Sequence, residues 1–167
     1  MLHEGGDMVR YEASLGGRDP LAALSETPER IREAIGRMGT ADFTRPLGPG
    51  RWNVRQILIH LAHDEMVSGV RARLALASDA YVVQPFDQDA FMAREPLVEA
   101  PAALAAYYAM RHWNLPLFRS LDAAELAKTF QHPEDGEMTL GMLLARLAGH
   151  ELHHLEQLRT FASQAQS

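Results

Sequence analysis

A chain of 167 residues with no cysteine and a net charge of −6 is one domain's worth of sequence, long enough to bury about two thirds of the surface its unfolded form exposes without any cross-link. The missing thiols exclude thiolate metal ligands, leave histidine and carboxylate as the candidates for a transition metal, and suit a reducing cytoplasm. Basic residues are spread among acidic ones, and no apolar run is long enough for a bilayer, so neither nucleic acid nor a membrane is the expected partner.

Residues 1–18 read as a polar, glycine-containing leader without the basic and apolar regions of a secretory signal. Asp19-Pro20 and Thr27-Pro28 each place a capping residue before a proline suited to the first helical position. A first helix is therefore expected to start, to break near Thr27 and to end at Gly39, its main run being Thr27–Met38. The prolines and glycines of ADFTRPLGPG close it off. The second helix, Asn53–Ala77, has a clear entry: Asn53 caps, Gln56 can complete a capping box, and Trp52 can staple onto Ile57. The long connection SDAYVVQPFDQDAFMAREPLVE should lie over the bundle. A third helix is predicted over Pro101–Ser120, with Pro116 producing a kink or an early stop. Gln131 to Met138 reads as a loop rich in Pro, Gly and acidic residues, and Thr139 caps a fourth helix to Ser163. No period-two strand is expected. Four long helices without a sheet predict an all-α fold, an antiparallel four-helix bundle, over residues 19–164.

The histidines fall on these helices in a pattern. Leu140, Leu143, Leu147, His150, His154, Leu158 and Phe161 step by three or four, so they form one stripe facing the bundle interior. His153 lies one step off it, half exposed. On the second helix Ile57, His60, Asp64 and Val67 share a face, which turns His60 inward too. Burying imidazoles is costly unless their nitrogens are engaged. A pair at i, i+4 is as readily ordinary core or surface histidine, but a third from a facing helix lets the three share one metal ion and leaves a coordination position open. His63, Asp64 and Glu65 are expected as surface charges or local pairs, with support of a metal ligand as the alternative. His112 and His132 have no partner at ligand spacing, and His3 is in the leader. Trp113 and Tyr107-Tyr108 are expected to pack in the core or between helices, and the methionines to fill core gaps.

His150-Glu151-Leu152-His153-His154 also spells H-E-x-x-H, the zinc motif of metalloproteases. Those enzymes bring a third ligand from downstream, whereas only thirteen residues follow His154 and none is histidine. Glu156 is on the same helix, too close in sequence to swing round to the metal, and the edge strand that would align a peptide is not predicted. The match is read as coincidental.

WNVRQILIHLAHDE, with Trp52 eight residues before His60, and TLGMLLARLAGHELHHLEQL, carrying His150 and His154, resemble the two signature helices of the DinB/YfiT-like superfamily. FDQDAF and FQHPEDGEMTL resemble it as well, and the likeness runs from about Asp19 to Phe161. His63 departs from the pattern, standing where many members carry an Asp. The resemblance implies a four-helix bundle with a divalent metal, nickel or zinc, on His60, His150 and His154, and often a homodimer. It also implies kinship with thiol S-transferases that use bacillithiol or mycothiol and with mycothiol-dependent maleylpyruvate isomerase.

Two classes of function follow. In one, a histidine-bound metal with open positions holds a small thiol as thiolate and presents it to a small electrophile, or activates water in a hydrolase, with Glu151 or Asp64 as a base. In the other the metal is structural, and the bundle is a stress-related binding or dimerisation module. Val70 and Leu74, with Ala102 and Ala106, supply apolar faces beyond what four helices bury among themselves, which predicts a two-fold homodimer.

Overall fold

The computed structural model describes residues 11, 13–36, 38–46 and 48–165. Residues 1–10 and 12 of the expected leader, His3 among them, lie outside the described residues. Helices α1 (Pro20–Ile35), α2 (Val54–Ala77), α4 (Ala100–Ser120) and α6 (Leu140–Ala165) form a four-helix bundle. Two short helices, α3 (Gln88–Met92) and α5 (Ala123–Leu126), and a hairpin of β1 (Thr129–His132) and β2 (Gly136–Thr139) fill the connections.

The helices begin where their chemistry allows. Asp19 accepts from Ala22 N at 2.7 Å at the start of α1, Asn53 and Gln56 close the expected box on α2, and Thr139 Oγ1 accepts from Met142 N at 3.1 Å on α6. The expected break at Thr27 does not occur, and the helix stops at Ile35 rather than Gly39. Pro28 has no N–H, so the carbonyl of Leu24 loses its donor within the helix. Arg111 of α4 donates to that carbonyl instead, Thr27 Oγ1 donates to Ala23 O at 2.7 Å, and the hydroxyl of Tyr108 donates to Pro28 O at 2.9 Å. Tertiary donors thus carry α1 through its proline. Nor does Pro116 stop α4, which runs on to Ser120.

The closest helix pairs are α1 with α6 and α2 with α4. Along α2 and α4 the contacts advance together, from Arg55 with Val98, through Glu65 with Arg111, to Gly69 with Asn114. These neighbours are therefore parallel, which requires the long return of residues 78–99. Contacts of α1 with α4 run the other way, Leu24 with Arg111 and Pro28 with Tyr108, as do those of α2 with α6. The bundle is antiparallel across two sides and parallel across two. Gly69 makes one close pairing, since a Cβ there would come 2.5 Å from Asn114 Oδ1.

The 78–99 connection does lie over the bundle. Arg55 donates to the carbonyls of Val98, Glu95 and Pro96 at 2.6, 2.8 and 2.9 Å. Its extended part joins the hairpin, Val83 N donating to Gln131 O at 2.8 Å and Gln131 N to Tyr81 O at 3.0 Å. The hairpin corrects the expectation of a loop over Gln131–Met138. Phe130 pairs with Met138, both buried, and Gly136 at φ 78 supplies the turn. Strands of four residues are too short for alternation to stand out in the sequence. Met138 belongs to the core, as expected of the methionines, but Met66 and Met142 are exposed.

Candidate metal centre

The α6 stripe is buried along its whole length, from Leu140 to Phe161, and carries His150 and His154 inward on successive turns. From α2, His60 meets them. Its Nε2 is 3.0 Å from His150 Nε2, which is 2.9 Å from His154 Nε2. Among the described residues this is the one group of three or more potential ligands close enough to hold a single ion. Trp52 lies with its ring centroid 4.8 Å from that of His60, so the residue expected to staple the helix entry also walls the site.

His154 Nδ1 is 2.9 Å from Gln157 Oε1, and Gln157 Nε2 is 3.0 Å from Nε2 of the half-buried His153. The carboxylate of Asp64 stands 2.6 Å from Nδ1 of His150. An amide oxygen only accepts, so His154 Nδ1 carries the proton and its Nε2 presents a lone pair. That lone pair lies 2.9 Å from His150 Nε2, close enough for both nitrogens to share one cation. A proton is disfavoured: burial holds His60 down at about 4 despite the opposing pull of Asp64, and burial, His150 and His60 keep His154 well below its usual value. Burial would raise the Asp64 carboxyl, but His150, His60 and His154 hold it below its ordinary range. The neutral imidazoles of His60 and His154, meeting His150 Nε2 beside an ionised carboxylate, fit a divalent cation.

Beside the triad is a cavity of about 70 Å³ lined by His60, Asp64, His150, Arg71, Arg146 and Tyr11, with Ser68, Gln88, Phe86 and three aliphatic side chains. Tyr11 was set aside in the sequence as part of the leader. Its ring meets His150 edge-on at 4.8 Å, and its backbone crosses Gly149 where a Cβ would collide with the Tyr11 carbonyl. Glycine at 149 is what admits this segment.

Other expectations are corrected. His63 is buried, edge-on to Phe91 at 5.3 Å, and Glu65 is fully buried. Arg111, which the sequence reading passed over, donates to both Glu65 and Glu151. Asn114 Nδ2 donates to Glu65 O and Oε2 at 2.9 and 3.1 Å. Glu151 therefore faces α4 rather than the triad. Burial pushes it up to about 7 against the pull of Arg111. The signal was present: Arg111 falls in the stripe Ala103, Tyr107, Asn114, Phe118, and Glu65 in the stripe Leu58, Leu61, Gly69, all of them buried. Opposite charges on facing apolar stripes predict a buried pair. Tyr107 and Tyr108 pack as expected, but Trp113 is 70% exposed, with Arg73 lying 4.5 Å over its ring. Its indole is held by a cation on the surface rather than between helices.

Comparison with known proteins places these features in a wider set. The profile of the DinB superfamily matches residues 23–158. A protein of Bacillus mycoides is 29% identical over 133 residues, 78% of this chain and 76% of its own, and YfiT of Bacillus subtilis is 26% identical over 141 residues, 83% and 79%. Both are provisionally named metal-dependent hydrolases. A solved structure of YfiT, titled as having an unusual four-helix bundle topology, aligns with a TM-score of 0.80 at 24% identity, over 87% of this chain and 85% of its own.

Proposed function

Because the chain belongs to the DinB superfamily, and its buried histidines meet as ligands of one ion would, we propose that it is an enzyme acting on a small molecule with a divalent metal, nickel or zinc, on His60, His150 and His154. The observation that carries the reading is the meeting of three buried imidazole Nε2 atoms, that of His150 lying 3.0 and 2.9 Å from those of His60 and His154. Bound by three neutral imidazoles, such an ion keeps its full charge and lowers the pKa of a thiol or a water beside it.

Thiol S-transfer is the first form of this proposal: a low-molecular-weight thiol adds to a small electrophile. The cavity wall supports it, because Phe86, Val67, Leu143 and Leu147 offer an apolar bed for an electrophile next to polar groups. Hydrolysis is the second form. It is supported by Asp64, whose carboxylate lines the cavity 3.5 Å from His60 Nε2 and is placed to orient a water beside the ion. Glu151, the other carboxylate considered for that role, is committed to Arg111. A purely structural site would be closed by a fourth protein ligand, and among the described residues no such group joins the three histidines. No described helix is long and apolar enough to cross a membrane. A cytoplasmic homodimer remains part of the proposal.

The test is elemental analysis of untagged protein, followed by assays of the metal-loaded chain. Cysteine, bacillithiol and mycothiol would be offered with monochlorobimane, and ester and amide substrates without thiol. Metal-dependent thiol conjugation is the expected result. Metal-dependent hydrolysis alone would select the second form, and wild-type protein that takes up neither nickel nor zinc would overturn both.

A further inference from the structure

We propose that Tyr11, on the arm that leads into α1, is a specificity-determining wall of the cavity beside the triad. Seated on Gly149, this arm limits what reaches His150 to molecules with a slender reacting group. That such a molecule reacts there rests on the enzymatic reading above, whereas the seating of the wall does not.

Most of the cavity lining comes from α2 and α6. The rest comes from two segments outside the four long helices: Phe86 and Gln88 of the 78–99 connection, and Tyr11. The connection is fastened at several points, by Arg55 to three of its carbonyls and by Val83 N to Gln131 O. The arm is fastened differently. Residues 13–15 are helical, Gly16 and Gly17 at φ 59 and 74 end this turn in left-handed conformations, and Arg18 N donates to Leu15 O at 3.1 Å. Leu15 is buried in the core. So anchored, the arm lays the Tyr11 carbonyl against Gly149 and the Tyr11 ring edge-on to His150.

Gly149 lies well inside α6, where alanine would be the more stable residue. A Cβ there would collide with the Tyr11 carbonyl oxygen and come 2.7 Å from its carbon and 3.2 Å from Cα. Backbone atoms cannot turn aside as the tip of a side chain can. The buried stripe from Leu140 to Phe161 holds α6 in the bundle, so the arm is the partner that must yield. One methyl group therefore separates a seated arm from a displaced one. With the arm seated, the cavity has a volume of about 70 Å³, the liquid share of roughly two waters, which suits a reacting group of a few heavy atoms rather than a ring system. Tyr11 bounds the approach to His150, whose Nε2 stands at the centre of the triad, 3.0 and 2.9 Å from those of His60 and His154.

The experiment modifies His150 in the metal-free full chain with diethylpyrocarbonate and with the bulkier 4-bromophenacyl bromide. Fragment-ion mass spectrometry locates the label, and the exposed His112 is the internal reference. Relative to His112, His150 of the wild type should react at least about tenfold more slowly with the bulky reagent than with the small one, the factor set by a site closed most of the time. Gly149→Ala, which displaces the whole arm, and Tyr11→Ala, which removes only the wall, should each lose most of that discrimination while His112 is unchanged. Circular dichroism checks that both variants keep their helices. Hydrogen exchange over residues 13–18 should be at least about tenfold faster in Gly149→Ala than in the wild type. Equal discrimination in the wild type and both variants, no discrimination in the wild type, or unchanged exchange in Gly149→Ala would each overturn the proposal. Measuring the metal-free form separates the two readings. A chain that discriminates through Tyr11 yet takes up neither nickel nor zinc would sink the metal reading alone. A metal-dependent enzyme whose His150 makes no such distinction would sink this one alone.

Discussion

Asp64 Oδ2 stands 2.6 Å from Nδ1 of His150, whose Nε2 lies 2.9 Å from that of His154. A carboxylate against the ring favours the proton on Nδ1 and so makes Nε2 the better donor to an ion. Asp64→Asn should leave the helices intact and weaken metal binding roughly 10–100-fold. Competition with a chromogenic chelator measures it, and an unchanged affinity would show that the contact has no influence on the site.

The triad itself is tested by alanine. His60→Ala, His150→Ala and His154→Ala should each keep the bundle and lose most of the metal, because two imidazoles hold an ion far less well than three. His153→Ala should retain it, since His153 is not among the three residues whose nitrogens converge and its Nε2 faces Gln157 instead. Metal content in His60→Ala equal to wild type would show that α2 contributes no ligand.

Acid should destabilise the metal-free protein. His60 is held down at about 4 and His154 is also lowered, whereas in the unfolded chain both titrate near 6.5. Below that pH the unfolded state takes up protons that the folded state refuses, so stability falls as pH drops from 6.5 towards 4. The displacement of His60 alone is worth on the order of 3 kcal/mol. Glu151, held up at about 7, retains a proton the unfolded chain gives up and so works the other way between 4.5 and 7. Two histidines outweigh one carboxyl. Urea midpoints at pH 7, 6 and 5 should decrease in that order, and a flat series would contradict the assignment of buried neutral imidazoles.

Arg111 joins three helices, through Leu24 O on α1, Glu65 on α2 and Glu151 on α6. Arg111→Met would leave two carboxylates buried without their cation and free the carbonyl exposed by Pro28. A loss of about 3–5 kcal/mol is expected from urea unfolding. Adding Glu151→Gln should recover part of it by removing one of the stranded charges. A loss below about 1 kcal/mol for Arg111→Met would show that the network contributes little.

The homodimer proposal is tested at the surface. Met66, Val70 and Leu74 repeat every four residues on α2 and are all exposed, Val70 by 52%, with exposed Ala102 and Ala106 on the parallel neighbour α4. Burying such a face between two copies is favourable at about 25 cal/mol per Å² of apolar area. Wild-type protein should have a dimer mass by light scattering at micromolar concentration, and Val70→Glu with Leu74→Glu a monomer mass. A monomeric wild type would remove the proposal.

Much of the bundle was legible because caps and apolar spacing are local. Asn53 and Gln56 act within one turn, so the entry of α2 fell where the residues put it. The α6 stripe with His150 and His154 was legible for the same reason, since every helical residue inherits its face from its position. Local rules failed where a distant partner changed the balance. Pro28 reads as a helix breaker until Arg111, 83 positions on, donates to the Leu24 carbonyl. The hairpin at Thr129–Thr139 was hidden by its shortness and is supported by Tyr81 and Val83 from another part of the chain.

By itself the sequence determined which residues turn inward: the spacing of His60, His150 and His154 put three imidazoles on apolar faces. Only the tertiary structure decided that their Nε2 atoms meet, that Gln157 holds the proton on the far side of His154 while Asp64 lies against His150, and that Glu151 is directed to Arg111. Helical periodicity assigns a face to each residue, but the rotation and pairing of helices are set by packing across the bundle. Whether a buried charge becomes part of a site or part of a structural network depends on which helix lies opposite.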